Sequence, residues 1–306
     1  MARQRKRRGR LVNGIVLLDK PAGLSSNHAL QRVKRLFDAA KAGHTGSLDV
    51  PATGLLPVCL GEATKVSGFL LDADKTYLAT GYLGVTTTTG DASGDVLEER
   101  TVTDINEERL LATLDKFKGP IEQVPPMFSA LKHNGERLYK LAYQGIEVER
   151  KPRPIEIYEL SLQAYSTREF TIRVRCSKGT YIRSLVQDIG AELGCGAHTT
   201  LLRRLQSGPF NEEQMLGLEQ LQELAEDGME NLDKCLLSMD QALAHLPGIF
   251  LTKEQARHLC LGQAVQADGL PDTGLVRIYE QEGPFLGIGE ARDDGLVAPK
   301  RLINIE

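Results

Sequence analysis

The stretch EFTIRVRC at residues 169–176 constrains the fold more than any other part of this sequence. Phe170, Ile172, Val174 and Cys176 alternate with Thr171, Arg173 and Arg175, the two-residue period of a strand with one apolar core face and one polar, cationic face. Through SKGT the chain then enters a segment whose apolar residues change to helical spacing, with Ile182, Leu185, Val186, Ile189 and Leu193 on one stripe. Arg183 opens that predicted helix directly after the strand end. Its guanidinium stays charged and offers a rigid fork of donors, so it either seeks a carboxylate or phosphate in a cleft or stands as an ordinary solvated cation.

Several other elements are legible. Gly14 to Leu18 reads as a buried strand ended by the turn DKPAG, and Ser25 or Ser26 can cap a helix whose apolar face is Leu30, Val33 and Phe37. Lys75 to Leu83 reads as a strand, TTTTGDASG at 86–94 as a polar turn region, and Glu107 to Phe117 as a helix capped by Asn106 and ended by KGPIEQVPP. KAGHTGSLDVPATGLLP at 41–57 reads as one long loop, its glycines permitting unusual backbone shapes and its prolines stiffening the path. That loop carries His44, Thr45, Ser47, Asp49 and Thr53 between hydrophobic elements, which is where chemistry is expected. The competing reading is a structural connection in which Asp49 only caps a turn. Met127 to Gly145 mixes basic and aromatic residues in a loop followed by a helix, a surface that suits RNA or else packs on the sheet.

A chain of 306 residues, 41% apolar and 25% charged, can bury its own core as one large domain or two unequal ones. No apolar run approaches the roughly 20 residues needed to cross a bilayer. The five cysteines include no CxxC pair, which argues for a reducing compartment and against a disulfide framework or zinc ribbon. Neither GxxxxGK[ST] nor GxGxxG occurs, and a Ser47–His44–Asp49 hydrolase lacks the G-x-S-x-G elbow. The net charge of −4 hides an uneven distribution: residues 1–210 carry +7, 211–247 carry −8 and 248–306 carry −3. The first two thirds can therefore present a basic face to a polyanion. Residues 1–10 read as a basic flexible arm without the apolar core of a signal peptide, 211–247 as an acidic helical bridge, and 248–306 as a small closed β module suited to binding.

Four segments go further. GHTGSLDVPATGLLPVCLGEATK at 43–65, KTY at 75–77, PPMFSALKHNGERLYKLA from Pro125, and RCSKGTYIRSLVQDIGAELGCGAHTTLLRRLQSGPF from Arg175 closely resemble the bacterial tRNA pseudouridine-55 synthase family. The likeness spans roughly residues 11–210, and the C-terminal residues resemble the small RNA-binding PUA module that often follows such domains. The resemblance implies a mixed α/β (α+β) synthase fold with a largely antiparallel central sheet over residues 11–247, bridge included, and a β-barrel-like PUA module at 248–306. By the same resemblance Asp49 matches the family's catalytic aspartate, and Tyr77 the tyrosine that stacks on the target base and is implicated in proton removal. Arg183 matches the arginine that pairs with the carboxylate, and His44 the histidine beside the flipped nucleotide. Lys20 and Leu202 match pocket-lining positions, Leu202 packing against the base or Tyr77, and Asp91 matches an acidic position near the active site.

The implied partner is tRNA through its T-arm stem-loop. No cofactor, metal or membrane is implied, and a cytoplasmic monomer is expected. An RNA-binding or tRNA-folding protein that uses the same surface without turnover is the reading to be distinguished. Two departures from the family pattern stand out: LDVPATG replaces LDPLATG after Asp49, and Tyr143 follows Ala142 where the family places arginine.

Overall fold

The computed structural model describes residues 9–304. The chain opens with β1 (Gly14–Lys20), α1 (Ser26–Leu36), β2 (Ala42–His44), β3 (Thr53–Leu60), α2 (Ser67–Asp72) and β4 (Lys75–Leu83). There follow β5 (Val85–Thr87), β6 (Val96–Glu99), α3 (Glu107–Asp115), β7 (Gly119–Gln123), β8 (Lys132–His133), β9 (Glu136–Arg137) and α4 (Leu138–Tyr143). β10 (Arg153–Tyr165), β11 (Glu169–Cys176), α5 (Ile182–Leu193) and β12 (Ala197–Ser207) complete the central sheet. The C-terminal third adds α6 (Leu218–Glu226), α7 (Met229–Asp233), β13 (Gly248–Leu251), α8 (Lys253–Cys260), β14 (Val265–Gln266), β15 (Gly274–Glu280), β16 (Phe285–Ala291) and β17 (Leu296–Leu302).

Eight strands form the central sheet in the order β1-β3-β12-β4-β11-β10-β7, with β2 on β3. Every pairing is antiparallel except β3 with β12, which run parallel at Arg203↔Thr53 and Arg204↔Gly54. The alternation in β11 has the expected cause. Phe170, Ile172, Val174 and Cys176 are fully buried against Ile182, Leu185, Val186 and Ile189 of α5 and Leu110 of α3, each worth about 1.5–3 kcal/mol of burial for the large apolar side chains. The opposite face is open to water, with Thr171 bonded to Thr80 of β4 at 2.9 Å.

Three readings of the sequence need correction. The expected loop at 41–57 is strand at both ends: β2 takes Ala42–His44 and β3 begins at Thr53, because the apolar run from Gly54 pairs with β1 along its whole length, and residues 45–52 are the irregular stretch between them. The acidic segment 211–247 is more than a bridge, since Leu218, Leu221 and Leu232 bury against α1, β1 and β3, and Ala242 and Leu243 join Ile15, Leu17 and Leu55 in a further core. Met127–Gly145 contains a hairpin, β8–β9, whose turn is Asn134–Gly135 with both φ positive, the signal of a two-residue hairpin turn. Of the basic arm, residues 1–8 lie outside the described residues; Arg10 donates to Asp233 through Nη1 at 3.3 Å.

The C-terminal sheet runs β13-β15-β16-β17-β14 around its own core of Ile249, Leu251, Val276, Ile278 and Val297. It is curled, as a PUA-like half-barrel is. Ile288 packs into the core beneath β1 and β3, and Lys65 donates to the Leu302 carbonyl at 2.8 Å. No helix among the described residues is long and apolar enough to cross a membrane.

Candidate active site

Residues 45–52 leave β2 and return to β3, and each turn of their path is fixed by a different element. Ser26 on α1 accepts from the Leu48 amide at 2.7 Å and donates to the Leu48 carbonyl at 2.9 Å, so both backbone groups before Asp49 are held. The Val50 carbonyl after it accepts from the Gly23 amide at 2.9 Å and from Lys20 Nζ at 3.4 Å. Irregular backbone inside a protein must find such partners, and here they come from the surrounding frame. Asp49 itself rides on top, its side chain 42% exposed.

Arg183, in the first turn of α5, reaches Asp49 from the opposite side of the cleft lining. Its Nε donates to Asp49 Oδ2 at 2.8 Å, Nη1 to the Thr89 carbonyl at 2.6 Å and Nη2 to the Phe128 carbonyl at 2.8 Å. Its side chain is only 5% exposed, so the guanidinium is a fixed cation behind an accessible carboxylate. Asp91 Oδ2 stands 3.8 Å from the same Nε, while its Oδ1 accepts from Thr89 Oγ1 at 2.6 Å and the Ser93 amide at 3.0 Å. Asp49, Asp91, Arg183, Thr199 and Leu202 line one small cleft.

The remaining expected residues take distinct places. Leu202 shares a sheet face with Ala79, its cross-strand partner, and packs against the core beside Tyr77. Tyr77 is half-buried on β4, and burial pushes its phenol up, with the Arg204 charge opposing. Lys20 is fully buried below the loop; burial pushes its ammonium down to about 8, with Asp49 opposing, and Nζ also donates to the carbonyls of Pro21 at 2.9 Å and Leu24 at 2.7 Å. His44 closes β2 opposite Val58, its Nδ1 buried without a partner, and burial followed by Arg204 pushes its imidazolium down. It does not line the Asp49 cleft.

Three further residues build this site. Besides Ser26, Gln123 at the end of β7 accepts from the Tyr181 amide at 2.8 Å and donates to the Tyr181 carbonyl at 3.0 Å, fixing the residue that caps α5 two positions before Arg183. Arg204 is buried under Tyr77 and the loop. The sequence held one usable signal for these, the paired arginines in LLRRL, because alternate positions on a strand face opposite ways. Arg203 accordingly turns outward to grip Asp19 at 2.8 and 2.9 Å.

Comparison with known proteins gives one answer along the whole chain. The family description "TruB family pseudouridylate synthase (N terminal domain)" matches residues 34–182. That of the tRNA pseudouridylate synthase B C-terminal domain matches 183–244, and that of the pseudouridine synthase II TruB C-terminal region matches 247–303. The chain is 52% identical over 303 residues to tRNA pseudouridine synthase B of Nitrosococcus oceani, covering 99% of this chain and 98% of that protein. It is 53% identical over 313 residues to the protein of the same name from Tolumonas auensis, covering 100% and 96%. Among solved structures it is similar to a chain of an H/ACA RNP bound to a substrate RNA containing 2'-deoxyuridine, with a TM-score of 0.74 and 27% identity over 95% of this chain and 85% of that one. A chain of the archaeal box H/ACA sRNP Nop10-Cbf5 complex gives a TM-score of 0.72 and 27% identity, covering 96% and 86%.

Proposed function

Since the chain belongs to the TruB family of pseudouridylate synthases, we propose that it isomerises uridine 55 in the T-arm loop of tRNA to pseudouridine, with Asp49 as the catalytic carboxylate. The observation that supports this assignment best is the 2.8 Å contact between Arg183 Nε and Asp49 Oδ2, in which a buried cation with its other donors committed aims an accessible carboxylate into a cleft. A surface that only bound RNA would gain nothing from a carboxylate there, because it repels phosphate.

The target base is stacked inside a folded loop, so it has to leave the stack before Asp49 can reach it. Tyr77 offers a ring to replace part of the lost stacking, and Leu202 an apolar wall. Asp49 then either attacks C6 of uracil or C1' of ribose, or removes a sugar proton to leave a glycal. In each route the N1–C1' bond breaks, the uracil rotates, a C5–C1' bond forms, C5 loses its proton and N1 gains one. Substrate and product are isomers, so the balance calls for no oxidant, reductant or second substrate. The exposed cations Lys132, Arg137, Lys140 and Lys151 supply a basic approach, and the C-terminal module extends the footprint on the RNA.

An unmodified tRNA transcript incubated with the protein, with no metal or cofactor added, tests the assignment when pseudouridine is mapped nucleotide by nucleotide. Product at uridine 55 that vanishes in Asp49→Ala, with tRNA binding retained, is expected. Tight binding without product from the intact protein would overturn the synthase reading in favour of an RNA-folding role, and release of free uracil would point to a glycosylase.

A further inference from the structure

Arg204 stands out among the buried residues. It is 1% exposed, the largest fully buried side chain among the described residues. Arg183 and Arg203 both face carboxylates, but among the described residues no carboxylate lies within ion-pair reach of Arg204. Burying a cation without an anion is costly, and an apolar side chain of similar length would fill the same volume with less penalty. Gly54 has φ +96°, and a Cβ there would come within 2.3 Å of the Arg204 carbonyl, so only glycine lets β3 lie this close to β12.

The guanidinium is spent on the active-site frame. Nε donates to the Leu55 carbonyl at 2.6 Å and Nη2 to the Gly46 carbonyl at 3.1 Å, the second being within the loop that carries Asp49. Across the strands, Arg204 is the register partner of Tyr77 and projects from the same sheet face. Charged and titratable neighbours of Tyr77 are Arg204, Cys176 and Asp49. Arg204 therefore touches the loop on one side and underlies the phenol on the other.

We propose that Arg204 is a positioning residue that locks the Asp49 loop to β3 and to Tyr77, so that carboxylate and ring meet the flipped base at a fixed separation. The proposal rests on the assignment of Asp49 and Tyr77 to the reacting base. Two parallel carbonyl contacts from one rigid fork fix a loop more tightly than a single lysine ammonium does. The geometry of a near-attack complex is sensitive to small displacements of this kind.

Single-turnover conversion of an unmodified tRNA transcript by the full chain carrying Arg204→Gln is expected to fall about 100-fold, the loss that roughly 1 Å of misplacement produces. The dissociation constant for the same tRNA is expected to stay at the wild-type value, a split between rate and affinity that a general loosening of the fold does not give. Arg204→Lys keeps the charge without the fork and is expected to convert tRNA at an intermediate rate; it carries the test where the glutamine variant does not fold. A folded variant that converts at the wild-type rate, or that loses affinity as much as rate, overturns the proposal. Failure of both variants to fold also overturns it, since Arg204 would then be a requirement of folding alone. Asp49→Ala and Tyr77→Phe run beside them: normal turnover there sinks the site assignment itself, whereas losses there with normal turnover in the Arg204 variants sink only the positioning role.

Discussion

The hydroxyl of Ser26 holds the Leu48 backbone at both ends, accepting from its amide at 2.7 Å and donating to its carbonyl at 2.9 Å. Ser25, its neighbour, caps α1 through the His28 amide, so adjacent serines divide two tasks. Ser26→Ala would leave the buried amide and carbonyl without partners, at a cost of about 1–3 kcal/mol for an unmade buried bond. The helix cap survives, so the fold should persist with a lower urea midpoint. Because Leu48 immediately precedes Asp49, the single-turnover rate should fall more steeply than stability does. Equal rates for Ser26→Ala and wild type would show that the loop is set by Lys20, Gly23 and Arg204 alone.

Gln123 makes an analogous two-way contact with Tyr181 and thereby fixes the start of α5. Gln123→Glu separates its two halves, because a carboxylate still accepts from the Tyr181 amide but no longer donates to the carbonyl. The variant should unfold at lower urea concentration than wild type by about 1–3 kcal/mol, the cost of one unsatisfied buried acceptor. Arg183 retains its own bonds to Thr89 and Phe128, so conversion should fall less than in Ser26→Ala. A larger rate loss for Gln123→Glu than for Ser26→Ala would reverse that order of importance.

How much of this was legible in the sequence depended on register. β4 and β11 pair without a single irregularity, and both read as strands in the sequence, β11 from its alternation. β10 carries register shifts at Ile157/Glu159 and Leu162/Ala164, and β12 at Thr199/Leu201 and Arg204/Gln206. A bulge puts two successive residues opposite one and breaks the two-residue period, which is why neither strand announced itself. β7 was hidden in a segment whose glycine and prolines read as a helix stop. The chemistry depended on contacts that no local pattern encodes: Asp49 and Arg183 are 134 positions apart, and only the family resemblance joined them. Arg204 escaped even that, since its importance lies in facing inward on a strand whose register the sequence did not disclose.

The two buried lysines make stability depend on pH in a direction that can be worked out. Lys20 and Lys75 are each pushed down from 10.5 to about 8, chiefly by burial. Between pH 8 and 10.5 the unfolded chain therefore holds more protons on these residues than the folded one, and their contribution to stability rises with pH. That contribution is complete above 10.5 and is lost as pH falls through 8. Buried Cys59 and Cys176, pushed up from 9.0 to about 12, act the other way above pH 9, where the unfolded thiols ionise and the folded ones do not. Urea unfolding at half-unit steps from pH 7 to 10 should thus show stability climbing between 8 and 9 and flattening beyond. Lys20→Met should climb less steeply than wild type over the first interval, and an equal slope would assign the effect to Lys75.

Tyr143 tests how the RNA surface is built. Its side chain is 79% exposed on α4, edge-on to Phe128 with ring centroids 5.4 Å apart, and the Phe128 carbonyl is one of the three acceptors that hold Arg183. An open aromatic ring on the helix that also carries Lys140 is suited to stacking on an unpaired base, and stacking contributes about 1–3 kcal/mol per base. Tyr143→Ala should weaken tRNA binding by that order while leaving the salt dependence of the dissociation constant unchanged, because no phosphate contact is lost. Tyr143→Arg, which restores the family's usual residue, should instead steepen the slope of log K against log salt, by about 0.7 on a single strand and 0.9 on a duplex for one added phosphate contact. An alanine variant with a shallower slope than wild type would mean that the ring acts by orienting its cationic neighbours, and one with unchanged affinity would place Tyr143 outside the RNA footprint.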